Sequence, residues 1–359
     1  MASDTPPGAP AAIQTSLADA GVLPYGLQDV EQVRLMLRGD SVVDWKRLAC
    51  VDIPHANQLL ERAGIRPHEP GDMMRLVYLH RRALDYIDAH HDGTLSAEVR
   101  TPSDPRELLL LASRNGPAQL DACMVLKVMH IVHHVAGREL LYRLPVPINE
   151  LFHRIETAVF DAVDGMKAGG IRVAEFAGSR KTPDSVVTKL LCRSDSQAAE
   201  IHDRLRFRVV TETLEDLFAA LVYLTRHLLP FNYVVPGQSR NDLIDLSATL
   251  HGDPRLRQIG ELLQDTAYPP GAGPRPNHFS ARGFRMVNFV VDMPVFVDDL
   301  IGLLPGYTAR DGHVVFLLVE FQLMDAETDR ANNSGANRHE LYKARQHARV
   351  VERLLGKGL

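Results

Sequence analysis

The stretch His313-Val-Val-Phe-Leu-Leu-Val-Glu-Phe-Gln-Leu323 decides the fold. Strand side chains alternate between two faces, so Phe316, Leu318, Glu320 and Gln322 share one face and Val315, Leu317, Val319 and Phe321 the other. Both faces are apolar up to Glu320, which predicts a central strand buried on both sides. A carboxylate ending such a run is costly unless it is paired or binds a metal. A second acid, Asp203, opens another β-like run, Asp203-Arg-Leu-Arg-Phe-Arg-Val-Val210, in which Arg206 and Arg208 share a face. Read from periodicity alone, these acids and arginines also suit a plain salt bridge at a sheet edge.

Working outward, Ile171–Phe176 alternates like a strand, and Ser185–Leu191 suits a short helix with Asp184 as its N-cap. Arg206–Thr211, Phe284–Met293 and His313–Leu323 read as strands. Thr213–Leu229, Asn241–Leu250, Leu256–Asp265 and Arg338–Leu355 read as helices, with Tyr268–Pro276 as a loop. Residues 12–168 show helical spacing instead, in Val30–Leu37, Met73–Ile87, Arg106–Ala112, Leu120–Leu141 and Ile148–Val163, with breaks at Gly64, Pro67–Pro70, His91-Asp-Gly93, Pro102–Pro105 and Pro145–Pro147. Strands mixed with helices over residues 169–359 predict α+β or α/β there, after a mostly helical region over 12–168 and a disordered tail over 1–11.

The 359-residue chain is 45% hydrophobic, enough for proper cores, and its net charge of −5 gives no basic field for coating DNA. Cys50, Cys123 and Cys192 are scattered, with no Cys-x-x-Cys pair, which indicates neither a disulfide framework nor a zinc ribbon and fits a reducing cytoplasm. No apolar run reaches membrane-spanning length.

Lys181 and Lys189 flank the predicted helix start, with Ser185 in its first turn, where backbone N–H groups favour anions. Acids able to share a divalent metal, beside lysines able to hold phosphates, are the minimum for phosphoryl or nucleotidyl transfer. In order along the chain stand Lys-x3-Ser-x3-Lys, Asp-x4-Arg-Val-Val, an Asp-Leu-Phe helix, Gly283-Phe284, Glu320-x-Gln322 and Asn333-Ser-Gly-Ala-Asn-Arg-His-Glu-Leu-Tyr-Lys343. This order resembles the synthetase domain of the RelA/SpoT alarmone synthetases over about residues 170–345. The resemblance implies an α+β fold with a nucleotidyltransferase-like mixed sheet flanked by helices over residues 169–359, and pyrophosphate transfer from ATP to the 3′ hydroxyl of a guanine nucleotide. It implies Mg²⁺ on Asp203 and Glu320, with Glu320 also helping to deprotonate the attacking hydroxyl. Lys181, Lys189 and Arg208 would serve the donor ATP, Phe284, Arg285 and Asn288 the acceptor segment, and His339 and Lys343 would lie beside the site.

The sequence departs from that pattern at definite places. Ser179, with Arg180 adjacent, stands where the family opens its lysine motif with arginine. Phe284 replaces the base-stacking tyrosine, keeping a π face without the hydroxyl. Asn288 replaces a histidine, and an insert at about Asn241–Pro276 replaces further acceptor elements. The expected activity is therefore Mg-dependent pyrophosphate transfer from ATP to a nucleotide or to an RNA 3′ end, tRNA included, with a catalytically degenerate nucleotide sensor as the alternative. AMP transfer is disfavoured because no Asp-x-Asp follows Gly178-Ser179. Arg180, Arg204, Arg206, Arg282 and Arg285 could line a local nucleic-acid groove or be paired with nearby acids. In the helical region His130 and His134, four residues apart, could bind metal, but without an intervening glutamate they read as ordinary, partly buried histidines.

Overall fold

The computed structural model describes residues 25–39, 48–91, 94–192, 204–252, 257, 259, 283–308, 310–334 and 339–355. The architecture is α+β. Helices α1 (Leu27–Arg38), α2 (Ile53–Arg62), α3 (Pro70–His90), α4 (Ala97–Arg100), α5 (Glu107–Ser113), α6 (Ala118–Arg143) and α7 (Ile148–Ala168) come first. There follow β1 (Val173–Arg180), α8 (Pro183–Cys192), β2 (Leu205–Thr211), α9 (Leu214–His227), β3 (Arg240–Asn241), α10 (Leu246–Gly252), β4 (Val287–Phe296), β5 (Val314–Asp325), α11 (Ala326–Asn332) and α12 (His339–Leu355). The strands form one mixed sheet in the order β1-β2-β5-β4-β3, with β2 and β5 parallel and the other neighbours antiparallel.

β5 is central, as its doubly apolar run predicts. Its odd-numbered face carries the sheet's main core. Phe176, Phe207, Phe321 and Phe289 form an aromatic ladder across four strands, with successive ring centroids 6.0, 5.6 and 5.5 Å apart. The apolar stripes of α7 (Leu151, Ile155, Val159) and α9 (Leu217, Leu221, Leu224) join these residues in one buried cluster, together with Val30 and Val33 of α1. Thr213 caps α9, its hydroxyl accepting from Asp216 N at 3.2 Å, which sets the direction of the helix behind β2.

A second buried cluster ties α2, α3, α5 and the first half of α6 together. This helical layer meets the opposite face of the sheet where α6 crosses β5. There Gly137 lets the backbone approach so closely that an added Cβ would sit 2.6 Å from the Phe316 ring and 2.7 Å from the Val314 carbonyl oxygen. Charged pairs close the same junction: Arg66 Nη2 lies 2.8 Å from Asp298 and His313 Nε2 lies 2.9 Å from Asp72. Substituting Gly137 with alanine is expected to cost a net stability of about 2 kcal/mol in urea unfolding, because overpacking against a fixed carbonyl outweighs the helix-propensity gain of about 1 kcal/mol. Gly165→Ala is the control. The added Cβ there meets only the hydroxyl end of Tyr223, which can swing aside, so its stability is expected to hold or rise.

Several local expectations change. The first strand runs Val173–Arg180 instead of Ile171–Phe176, so Gly178 and Ser179 lie within a strand; Gly178 leaves room for the Phe207 ring, 3.1 Å from where its Cβ would be. Thr182, not Asp184, caps α8: its hydroxyl accepts from Ser185 N at 3.3 Å, and Pro183 starts the helix. Asn241 begins no helix. Its side chain accepts from Leu243 N and Ile244 N, a turn that follows β3. α2, unexpected from the sequence, forms because Asp52 caps it (Oδ1 accepts from His55 N at 2.9 Å) with Pro54 in its first turn. β4 extends to Phe296 through Pro294. Beyond the Val234–Val291 bridge the outer edge of β4 pairs with no strand among the described residues, so the missing N–H of Pro294 breaks no ladder. Residues 1–11 and 260–282, hence most of the expected 256–265 helix and the 268–276 loop, lie outside the described residues.

Candidate active site on the open face of the sheet

Strand register gathers polar side chains on the even-numbered face of β5. Glu320 stands level with Arg206 on β2 and Val290 on β4, and Arg206 with Ser179 on β1. One step along, Ala177, Arg208, Gln322, Asn288 and Arg240 form a row across all five strands. Glu320 is half-buried inside the twelve-residue strand, not at its end as the sequence suggested. Gln322 Nε2 donates to Glu320 Oε1 at 3.1 Å, which orients the carboxylate without supplying a charge.

The other acids near this face are committed. Asp329 and Glu175 both pair with Arg208, the latter at 3.6 Å. Asp242 lies 2.6 Å from Arg240 Nε. Asp325 caps α11, accepting from Glu327 N and Thr328 N. Arg206, half-buried beside Glu320, has no ion-pair partner among the described residues.

The residues expected on the donor side fall at the β1 end. Lys181 N donates to Arg204 O at 2.9 Å, so the β1–β2 ladder continues one step past Arg180, and alternation from Ser179 carries Lys181 onto the Glu320 face. Ser185 sits in the first turn of α8 with its hydroxyl 2.9 Å from Thr182 Oγ1, and Lys189 in the last turn is half-buried. α12, which carries His339 and Lys343, packs against α8. The side chains of those two residues, and Asp203 with Arg282, lie outside the described residues.

No protein-family profile and no curated protein matches this chain. Solved structures do. Small alarmone synthetase 2 from Bacillus subtilis matches with 18% identity over 58% of this chain and 96% of its own, at a TM-score of 0.27. Small alarmone synthetase 1 from Bacillus subtilis bound to its product pppGpp matches with 12% identity over 58% and 93%, at 0.30. A GTP pyrophosphokinase family protein from Streptococcus pneumoniae matches with 13% identity over 57% and 88%, at 0.26.

The expected acceptor segment is only partly oriented toward the open face. Asn288 is on it, and its buried Oδ1 accepts no hydrogen bond among the described residues. Arg285 turns away: its guanidinium donates to the Asp242 carbonyl at 2.8 Å, while its backbone exchanges hydrogen bonds with Asn332. The carbonyl of Phe284 accepts from Arg240 Nη2 at 2.9 Å. Arg180 sits on the opposite face, held by Glu156 at 2.6 and 2.5 Å, so it does not stand in for an arginine at Ser179. Arg204 lies over the Phe152 ring. Of the described arginines suggested for a nucleic-acid groove, only Arg206 remains uncommitted.

Sequence reading missed Arg240 and Asp242. The signal was present in the turn chemistry of Asn241-Asp242, which competes with a helix. No group of three or more His, Cys, Asp or Glu among the described residues is arranged to hold a metal. Magnesium usually takes one or two carboxylates and completes its shell with water and substrate phosphates. Glu320, half-buried on this face of the sheet, is one such carboxylate; Asp203, two residues before β2 in the sequence, lies outside the described residues.

Proposed function

We propose that the chain transfers pyrophosphate from ATP to the 3′ hydroxyl of a nucleotide or of an RNA 3′ end, with Mg²⁺ held by Glu320 and Asp203. The observation that carries this reading is the alignment of Glu320, Arg206, Gln322 and Asn288 on one face of the sheet, at the end from which Lys181 and α8 depart. Phosphoryl transfer needs in-line positioning and charge neutralisation more than a covalent nucleophile. In this reading Lys181, Lys189 and the first turn of α8 at Ser185 hold the donor phosphates, and Arg206 neutralises charge on the group in transit. Glu320 accepts the proton of the attacking hydroxyl, and Gln322 fixes the carboxylate that does so. A magnesium ion held by Glu320 and Asp203 would supply charge neutralisation for the transferred phosphates. Asn288, Phe284 and the terminal-helix residues His339 and Lys343 line the acceptor side, with Arg208 behind the donor.

A second reading, a nucleotide sensor without turnover, draws on Arg285, Arg240 and Arg208, whose guanidinium groups are taken by this chain's own oxygens. The test is transfer of label from ATP marked on its β and γ phosphates, with Mg²⁺, to GDP, GTP, ADP, ATP or total tRNA. Intact transfer with release of AMP, lost in Asp203→Ala while the thermal melt is unchanged, is the expected result. Full activity in Asp203→Ala would overturn the assignment, and ATP binding without product from any acceptor would favour the sensor.

A further inference from the structure

A cleft of about 670 Å³ opens at the outer edge of β4, where α1, α2 and the end of α9 meet the sheet. It lies apart from the Glu320 row. Val290 stands level with Glu320, whereas the cleft meets β4 further along, at Met293, Pro294 and Phe296. Its size falls within the roughly 300–1,000 Å³ of small-molecule sites. Arg62, at the end of α2, lines the cleft and is only 9% exposed. Its Nη1 donates to the carbonyl of Arg226, one of the end carbonyls of α9, which fixes the guanidinium in place. The remaining N–H groups of Arg62 make no hydrogen bond, and no carboxylate pairs with it, among the described residues.

The buried acid beside it is already spent. Asp29 accepts from Arg226 Nε at 2.7 Å and Nη2 at 2.5 Å, and from Gly26 N at 2.6 Å. One carboxylate thus serves two guanidinium groups, and the buried layer keeps the charge of Arg62. Glu61 offsets it only from the rim, where its side chain is 49% exposed and 3.8 Å from His68. Burial lowers the Arg62 guanidinium to about 10, against the pull of Asp29 and Glu61. Burial, then Arg226 and Arg62, likewise lower His227, which also lines the cleft. A second signal comes from Gln28, whose Oε1 is buried and accepts no hydrogen bond among the described residues. A buried cation lacking an anion and a buried acceptor lacking a donor are both costly, and they stand in one cleft beside an apolar wall.

We infer that this cleft binds a small organic anion that carries a hydrogen-bond donor beside its charge, the anionic group seated on Arg62 and the donor on Gln28 Oε1. Met293 and Pro294 take the apolar body of the ligand. The fixed Arg62 fork suits a carboxylate or a phosphate oxygen pair, and its prior anchoring lowers the ordering cost of binding. The inference is independent of the chemistry at Glu320.

The test is an NMR titration of the full chain at pH 7 that follows the His227 imidazole C2–H, assigned by its loss in His227→Gln. The probes are inorganic phosphate, mandelate, which joins a carboxylate to an adjacent hydroxyl and an apolar ring, and phenylacetate, which lacks the hydroxyl. Each is expected to move the resonance saturably, mandelate with a Kd of about 1 mM and about fivefold tighter than phenylacetate. Arg62→Gln keeps an amide N–H for the Arg226 carbonyl and removes the charge, so every probe should bind at least about tenfold more weakly. Gln28→Met should bring mandelate down to the affinity of phenylacetate, a ratio read within one protein whatever its stability. No saturable shift with any probe up to about 50 mM overturns the inference. Binding that survives Arg62→Gln also overturns it, as does a mandelate preference that survives Gln28→Met.

Discussion

Replacing Glu320 with glutamine is expected to lower pyrophosphate transfer by about a thousandfold or more while leaving the melting temperature unchanged or slightly raised. The substitution is isosteric and keeps an amide oxygen for Gln322 Nε2, now 3.1 Å from Glu320 Oε1. A half-buried carboxylate in the middle of a central strand opposes folding unless its surroundings need it. A residue kept for function should therefore become neutral at no structural cost. A residue kept as a salt-bridge partner of Arg206 should behave oppositely, losing stability and leaving turnover intact. Single-turnover rates with labelled ATP and thermal melts on the same two proteins separate these cases. A rate within tenfold of the parent would remove Glu320 from the chemistry.

The position of that glutamate shows where sequence reading succeeds and where it stops. β5 was legible because burial on both faces leaves an apolar run with no alternation to misread. The strand was expected to run from His313 to Leu323 with Glu320 closing its doubly apolar part; it runs from Val314 to Asp325, and only the apolar character of one face ends at Glu320. Phe321 and Leu323 continue into the core while Glu320 and Gln322 face the open side. The sharing of a face by Arg206 and Arg208 was likewise readable from alternation alone. Their different fates were not: Arg208 is held by Asp329, 121 residues away in the chain, and no local period encodes that contact. β3 escaped for a related reason. Two residues are too few to show alternation, and only the pairing of Arg240 with Asn288 makes them a strand. The segment expected to serve the acceptor is likewise shaped by long-range contacts, Arg285 bonding to Asp242 and Asn332.

The junction between α6 and the sheet makes the protein acid-sensitive. His130 and His133 are buried there. Burial first, and then neighbouring charges (His134 for the one, Arg75 for the other), lower both imidazoles to about 3. Both are therefore neutral in the folded protein at pH 7. His133 Nε2–H donates to the Ala63 carbonyl at 3.2 Å, leaving a buried Nδ1 that accepts nothing among the described residues. His130 Nδ1 accepts from Asn232 Nδ2 at 3.2 Å. His134, beside them, meets Asp292 at 2.7 Å, and Tyr233 and Phe316 close the pocket. In the unfolded chain both imidazoles take up protons near pH 6.5, whereas in the folded protein they do so only near 3. The unfolded state thus binds more protons throughout that window, and stability falls as pH falls. Two such groups give a slope of up to about 2.7 kcal/mol per pH unit below pH 6. His55 and His80, also lowered by burial, act in the same sense. Burial alone would raise Asp72, but hydrogen bonds from His313 and Arg66 bring it to about 2, so it adds to the loss of stability in the same sense, only below about pH 5. Against a typical total stability of about 5–15 kcal/mol, unfolding is expected between about pH 5 and 4. His133→Gln keeps an N–H donor for Ala63 and removes one titrating ring. Urea unfolding at pH 7, 6 and 5 should show its slope reduced by about 1.4 kcal/mol per pH unit relative to the parent. Equal slopes in the two proteins would mean that His133 takes up its proton without unfolding the junction, and that the packing of α6 on Phe316 tolerates a charge.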